Sequence, residues 1–292
     1  MADAAFTVGV DAGATRCRAR LRDAGGVRLA KTEAGAANIH VDFLAAIAVL
    51  RGVIDEVLRE AGLGEGDEAR IAVGLGLAGF SDANDASRVV EAFPRFARVR
   101  AANDATTACI GAHGGADGGL VIAGTGSAAI ARAGGAETIV GGRGFALGDD
   151  GSGARIGYEA LRAATLAYDG LGPETALTGD LIAAFGGDIV ALTRWALTAK
   201  PGDYGAYAPK VFAHAKANDP VALRIVASAA RAIGMLARRA AALGAQRIAL
   251  AGGVGEALRP YMEPEIDAML VRPLHDAVDG AILLAGGEIA AG

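Results

Sequence analysis

Only two cysteines occur in the 292 residues, Cys17 and Cys109, far apart and neither in a CxxC pair. That excludes a disulfide framework and leaves no thiolate spacing for zinc or an iron–sulfur cluster, so both read as small buried hydrophobes. The four histidines, His40, His113, His214 and His275, show no HxH or HxxxH spacing, and no nitrogen-ligand metal site is expected. Basic charge is short as well: Lys and Arg number 28 against 33 Asp and Glu, the net charge is −5, and no basic run is clustered. Neither nucleic acid nor an anionic membrane surface is therefore an expected partner. No apolar run reaches about 18 residues. The opening MADAAFTVGVD lacks the charged region and long apolar stretch of a secretion leader, so the expectation is a soluble, cytoplasmic protein.

What is present is a chain long enough for two lobes and apolar enough, at 52% hydrophobic residues, to give each a core. Residues 6–12, 15–23 and 27–34 predict three strands joined by short turns, with DAGG at 23–26 as a hairpin signal. Apolar residues at three- and four-residue spacing predict a helix over 42–62, closed by Gly62. A strand over 70–79, a helix near 83–93, a strand at 97–102 and a helix opening at NDATTACIGAHG complete a βββαβαβα order. The chain then restarts: GGLVIAGTGSAAIARAGG at 118–135 repeats the strand, small-residue turn, strand and hairpin of the opening, and ETIVGG supplies a third strand. Two lobes with duplicated openings account for this. Beyond residue 150 helices are predicted near 152–168, 174–185, 188–198, 205–217 and 221–243, then a strand at 246–253 and a closing helix at 276–290.

Three small-residue turns follow apolar strands: Gly13-Ala14-Thr15, Gly124-Thr125-Gly126-Ser127 and Gly252-Gly253-Val254-Gly255. Such a turn is either a tight turn only or a nest of backbone donors for phosphate, which needs no lysine. GTGSAA after LVIA also matches a dinucleotide fingerprint, but Gly134 and Gly135 would break the helix that fingerprint requires. No GxxxxGK[ST] phosphate loop is present.

GVDAGAT, NDA, IAGTGS, GGRGFALGDDGSG and LAGGVGE, in that order and spacing, resemble the phosphate, connecting, sugar and adenosine motifs of the superfamily of sugar kinases, Hsp70 ATPase domains and actin. Within it the chain is similar to the N-acetylglucosamine kinase and BadF/BadG/BcrA/BcrD ATPase group, whose LGDEGSG is mirrored by LGDDGSG. The resemblance spans nearly the whole chain. It implies an α/β fold of two ribonuclease-H-like lobes, an actin-like ATPase or sugar kinase fold, with ATP in the cleft between them. The lobes would be 1–112 and 113–275, with the helix of 276–292 packing back on the first.

By the same resemblance Asp11 would face Mg²⁺, and Gly13, Ala14, Thr15, Gly124, Thr125 and Gly126 would cradle the phosphates of ATP. Gly252, Gly253 and Gly255 would lie against the adenosine. Asp104 would accept the proton of the attacking hydroxyl, as phosphoryl transfer requires; its other reading is the N-cap of the following helix, and both roles hold together only if Asn103 is the cap. Asn38, Asp104, Thr125, Gly142 and Asp149 would meet the sugar, Asn38 and Asp149 being otherwise ordinary turn residues. Two positions depart from the pattern: Arg143 stands where the sugar kinases carry Trp, removing a stacking surface, and Asp150 where Glu is common. Arg231, Arg238 and Arg239 read as a solvated helix face.

The function implied is ATP-dependent phosphorylation of a hydroxyl of an amino sugar, N-acetylglucosamine or glucosamine, by a homodimer. Two rivals remain: an ATPase that activates another enzyme, against which Cys17 and Cys109 lie by the nucleotide loops rather than at an interface, and a sugar sensor without turnover. A regulator would add a helix-turn-helix ahead of the first strand, for which no room is expected, and Asp11, Asp104 and Asp149 are all retained.

Overall fold

The computed structural model describes residues 4–13, 16–80 and 83–290. The chain forms two compact units, one of Met1–Asp117 with Arg272–Gly292 and one of Gly118–Val271. Residues 113–117 and 272–275, expected in the second lobe, go with the first unit. Backbone hydrogen bonds from Gly115 to Ile110 (2.8 Å) and from Leu274 to Ala112 (3.0 Å) tie both segments to the same helix end.

The first unit runs β1 (Phe6–Ala12), β2 (Cys17–Asp23), β3 (Arg28–Ala34), α1 (Phe43–Glu60), β4 (Ile71–Leu77), α2 (Ala83–Glu91), β5 (Arg98–Asn103) and α3 (Asp104–Ala112). Its sheet has the order β3-β2-β1-β4-β5. β1 lies antiparallel to β2 and parallel to β4, whose seven residues are all buried, as a central parallel strand covered on both faces requires. α1 starts where Asp42 accepts the Ala45 N–H at 3.0 Å, and buries Ile47, Leu50, Val53, Ile54 and Val57 on one stripe. Each such aliphatic side chain removed from water contributes about 1.5–3 kcal/mol.

The second unit runs β6 (Gly118–Ala123), β7 (Ser127–Ala133), β8 (Ala136–Gly141), α4 (Gly153–Tyr168), α5 (Ala176–Ala183), α6 (Ile189–Ala196), α7 (Pro201–Gly205), α8 (Ala208–Lys216), α9 (Pro220–Ala242), β9 (Ile248–Ala251), α10 (Gly253–Leu258), α11 (Pro264–Asp267) and β10 (Leu270–Val271). Its sheet order, β10-β9-β6-β7-β8, is that of the first unit: β6 is antiparallel to β7 and parallel to β9. The repeated sequence grammar thus becomes a repeated sheet. α9 is long and apolar enough by length and composition to cross a membrane, yet Ile225, Val226, Ile233 and Ala237 are buried in the core of this unit. The helix expected at 205–217 is α8, with Pro209 in its first turn where no N–H is needed, and α7 ahead of it, with Pro201 at its start, is a short helix not expected from the sequence.

α12 (Ala277–Leu284) returns to the first unit and packs on β1, β4 and α3. Three arginines on alternate positions of β2 hold its start: Arg20 donates to both oxygens of Asp276 at 3.0 Å, and Arg22 donates twice to Asp279. Asp276 in turn caps α12 through the Asp279 N–H. The third, Arg18, reaches Asp276 at 3.7 Å and Asp11 at 2.6 Å.

Candidate functional site

In the first unit the chain leaves β1 through a turn closed by a hydrogen bond from the Gly13 N–H to the Arg16 carbonyl, 2.9 Å. Ala14 and Thr15 lie outside the described residues. Asp11, one residue before the end of β1, faces Arg18 across the hairpin. One of its oxygens takes the Arg18 bond, and the other has no hydrogen-bond partner among the described residues.

Parallel pairing of β4 and β5 brings the start of α3 to the same sheet edge, since Leu77 and Asn103 are in register. Asn103 is the N-cap: its side-chain oxygen accepts the Ala105 N–H at 2.9 Å and its amide donates to the Phe80 carbonyl at 3.1 Å. Asp104 is the first residue of the helix, with one carboxylate oxygen 2.8 Å from the same N–H. Burial pushes its carboxyl above the usual carboxylate range, and the negative charge of Asp11 adds to the rise. Such a carboxylate holds a proton more readily than an exposed one, which suits a base. Cys17 is fully buried, and burial, then Asp11, pushes its thiol up to about 12, so it is inert as a nucleophile.

Asn38 bridges to Ala78 just past β4, and its side-chain oxygen accepts the N–H groups of His40 (2.9 Å) and Val41 (3.3 Å). That oxygen therefore shapes the loop, and its amide nitrogen is the group left to meet a ligand.

In the second unit the turn after β6 and the GDDGSG loop form one construction. The N–H groups of Gly153 and Ala154, which open α4, donate to the carbonyls of Gly124 (2.8 Å) and Thr125 (3.3 Å), and the Ser127 hydroxyl donates to the Asp150 carbonyl at 2.8 Å. Ser152 caps α4. Asp149 has φ +60°, a left-handed conformation that a side-chain-bearing residue adopts at a cost of about 1–3 kcal/mol. Its carboxylate lies over Gly126, where an added Cβ would stand 3.0 Å from Oδ2. Gly142 is exposed, hydrogen-bonded through its N–H to the Ser127 carbonyl, with Arg143 exposed beside it.

The third turn closes on the first of this unit. Gly252 has φ +93°, and a Cβ there would meet the Ala123 carbonyl at 2.2 Å, so only glycine brings the start of α10 against the end of β6. Gly253 opens onto free space, whereas Gly255 packs on Leu250 and is part of the core. Gly124, Thr125 and Gly253 line one pocket of about 720 Å³, together with Gly205, Ala206, Pro209, Phe212, Ala213 and Lys216 from α7 and α8. It is of the size that small-ligand sites take. The α7–α8 wall is not among the residues that sequence reasoning singles out. Its signal is the run of small residues in PGDYGAYAPK, which leaves space only once α7 and α8 are folded.

Behind that wall lies an aromatic cluster. Phe145, from the segment joining β8 to α4, stacks on Tyr204 (5.4 Å), which meets Tyr158 and Trp195; Trp195 meets Phe185 and Tyr207. Tyr204 and Tyr207 flank Gly205 and Ala206, so the rings fix the pocket wall from behind.

Residues 8–285 match the family model of the BadF/BadG/BcrA/BcrD ATPase family. The chain is 37% identical over 284 residues to the glucosamine kinase GspK of Vibrio cholerae serotype O1, covering 96% of each chain. It is 30% identical over 248 residues to an N-acetyl-D-glucosamine kinase of Dictyostelium discoideum, covering 77% of this chain and 76% of that one. Among solved structures, one from Chromobacterium violaceum assigned as an N-acetylglucosamine kinase superposes with a TM-score of 0.85 at 34% identity, covering 97% and 99% of the two chains. A ROK hexokinase from Thermus thermophilus, at 22% identity and a TM-score of 0.55, shares the fold.

Proposed function

We propose that this chain, which belongs to the BadF/BadG/BcrA/BcrD ATPase family, is an ATP-dependent kinase that phosphorylates a hydroxyl of an amino sugar, glucosamine or N-acetylglucosamine. The observation that carries the reading is the division of labour at the start of α3. Asn103 caps the helix and leaves Asp104 a part-buried carboxylate of raised proton affinity. Asp104 accepts the proton of the attacking sugar hydroxyl, the one acid–base task that phosphoryl transfer asks of a protein. Asn38, Thr125, Gly142 and Asp149 orient the sugar, the carboxylate of Asp149 accepting from vicinal hydroxyls and the amide of Asn38 donating. The pocket bounded by Gly124, Thr125, Gly253 and the α7–α8 wall takes the nucleotide.

Magnesium suits the donor set. Mg²⁺ takes one or two carboxylates and completes its shell with phosphate and water, and Asp11 offers an oxygen not engaged by Arg18. Asp11 would hold the ion, which neutralises phosphate charge when bound. The full burial of Cys17 and Cys109 supports the kinase over an activator that would present cysteines to a cluster. We further assign the protein to the cytoplasm as a homodimer that acts on a small molecule.

The deciding experiment is ADP release from Mg-ATP with glucosamine, N-acetylglucosamine, N-acetylmannosamine, glucose or no sugar, with Asp104→Asn alongside. Release that one amino sugar stimulates and the variant abolishes is the expected result. Release independent of sugar would overturn the reading in favour of an ATPase.

A further inference from the structure

The groove between α4 and α9 in the second unit opens beside the GDDGSG loop, whose Asp150 and Gly151 form part of its wall, but none of its residues is assigned to sugar or nucleotide above. It encloses about 780 Å³ and is lined by four arginines, Arg155 and Arg162 from α4 and Arg224 and Arg231 from α9, against two acids, Asp150 and Glu159. On α9, Arg224, Ser228 and Arg231 stand at i, i+4 and i+7 and so share one face of the helix. Four guanidiniums against two carboxylates leave the groove with a formal charge of +2.

None of the four arginines is tightly held. Arg155 stands 3.5 Å from Asp150 and Arg162 stands 3.8 Å from Glu159, ion pairs without a hydrogen bond. Arg224 and Arg231 have neither an ion pair nor a hydrogen bond among the described residues. Elsewhere in the chain arginines beside acids close real bonds: Arg18 to Asp11 and Arg259 to Asp267, each at 2.6 Å. Arg155 is nonetheless fixed in place, its guanidinium lying 5.4 Å from the Phe145 ring centre and 5.7 Å from that of Tyr158. A guanidinium oriented by rings but short of acceptors is arranged for a planar or multidentate anion.

We infer that this groove is a binding site for a phosphate-monoester dianion. Its two negative charges match the surplus of the groove, and its oxygens accept from several guanidinium forks and the Ser228 hydroxyl at once. A carboxylate monoanion would leave half the surplus uncompensated. The ester of a phosphorylated sugar and free inorganic phosphate share this chemistry.

The test is calorimetric titration of the full chain with inorganic phosphate and with glucosamine 6-phosphate, at matched ionic strength in chloride, for the parent and for Arg224→Gln and Arg231→Gln. Both side chains are exposed, so the variants should melt with the parent in chloride alone. The expected result is saturable binding weakened about tenfold by each substitution, the loss of one charge-assisted contact. Tighter binding of the ester than of phosphate assigns the site to phosphorylated sugars, and equal binding assigns it to the free ion. No saturable binding, or binding of the same strength in both variants, overturns the inference.

Discussion

Asn103 and Asp104 are adjacent carbonyl-bearing side chains at one helix start and both accept the Ala105 N–H, but only Asn103, the N-cap, also ties the helix to the Phe80 carbonyl through its amide. The second is left to titrate in a part-buried position near Asp11. The two positions therefore separate stability from activity.

Asp104→Asn should lower kcat for sugar phosphorylation by about 10²–10⁴-fold, the usual worth of a positioned base. Its effect on stability has the opposite sign. Because the folded carboxyl titrates above its ordinary value, charging it opposes folding, and the penalty is complete once the pH has risen past the folded pKa. The variant should thus melt no lower than the parent at pH 8, and any advantage should vanish at acid pH. Asn103→Ala should instead lose about 1 kcal/mol of stability. Melting curves across pH with steady-state kinetics check both.

Asp219 joins two helices. It accepts the N–H groups of Val221 and Ala222 at the start of α9 and that of Leu177 in α5. Burial raises its carboxyl, but these backbone bonds and the Thr175 hydroxyl more than offset that and hold it below its ordinary value. The stability it contributes is therefore present above the unfolded pKa and lost as the pH falls through the depressed folded one. Asp219→Ala should cost about 1–3 kcal/mol in urea unfolding near neutral pH, with a smaller difference in strong acid.

Gly126→Ala would put a methyl group 3.0 Å from Asp149 Oδ2. The carboxylate must then move by a few tenths of an ångström. The KM for the sugar should rise several-fold while the KM for ATP changes less; equal changes in both would dissociate Asp149 from the sugar.

Ala213 lines the pocket proposed for the nucleotide, between Phe212 and His214 on α8. Ala213→Phe should fill the wall and weaken ADP binding about tenfold or more, as overfilled pockets do, with the sugar KM little changed. Direct titration with ADP in the absence of sugar reads it, and the sole tryptophan, Trp195, behind the same wall gives an optical signal.

Much of this was legible in the chain. β1, β2 and β3 fall within two residues of the expected ranges, because β-rich composition and the DAGG turn are local signals. NDA signals a helix start but leaves the cap open between Asn103 and Asp104, which the backbone settles for Asn103. α7, five residues long, is too short for helical periodicity to register, and its start is marked only by Pro201. β10 has two residues, too few for any periodicity to register, and exists because β9 offers it a parallel edge. The α7–α8 wall of the pocket, the φ of Asp149 and the reach of Arg18 to both Asp11 and Asp276 depend on segments far apart in sequence, which only packing brings together.

The return of α12 to the first unit fixes the order in which the chain can be finished on the ribosome. Val278 and Ala281 present backbone oxygens where side chains at Gly9 and Gly74 would stand, so the face of β1 and β4 that α12 covers stays bare until residues 277–284 emerge. The second unit, continuous from Gly118 to Val271, is complete before that. A nascent chain of this kind exposes an apolar sheet face while residues 13–276 are made, and chaperone occupancy should fall when α12 emerges and docks.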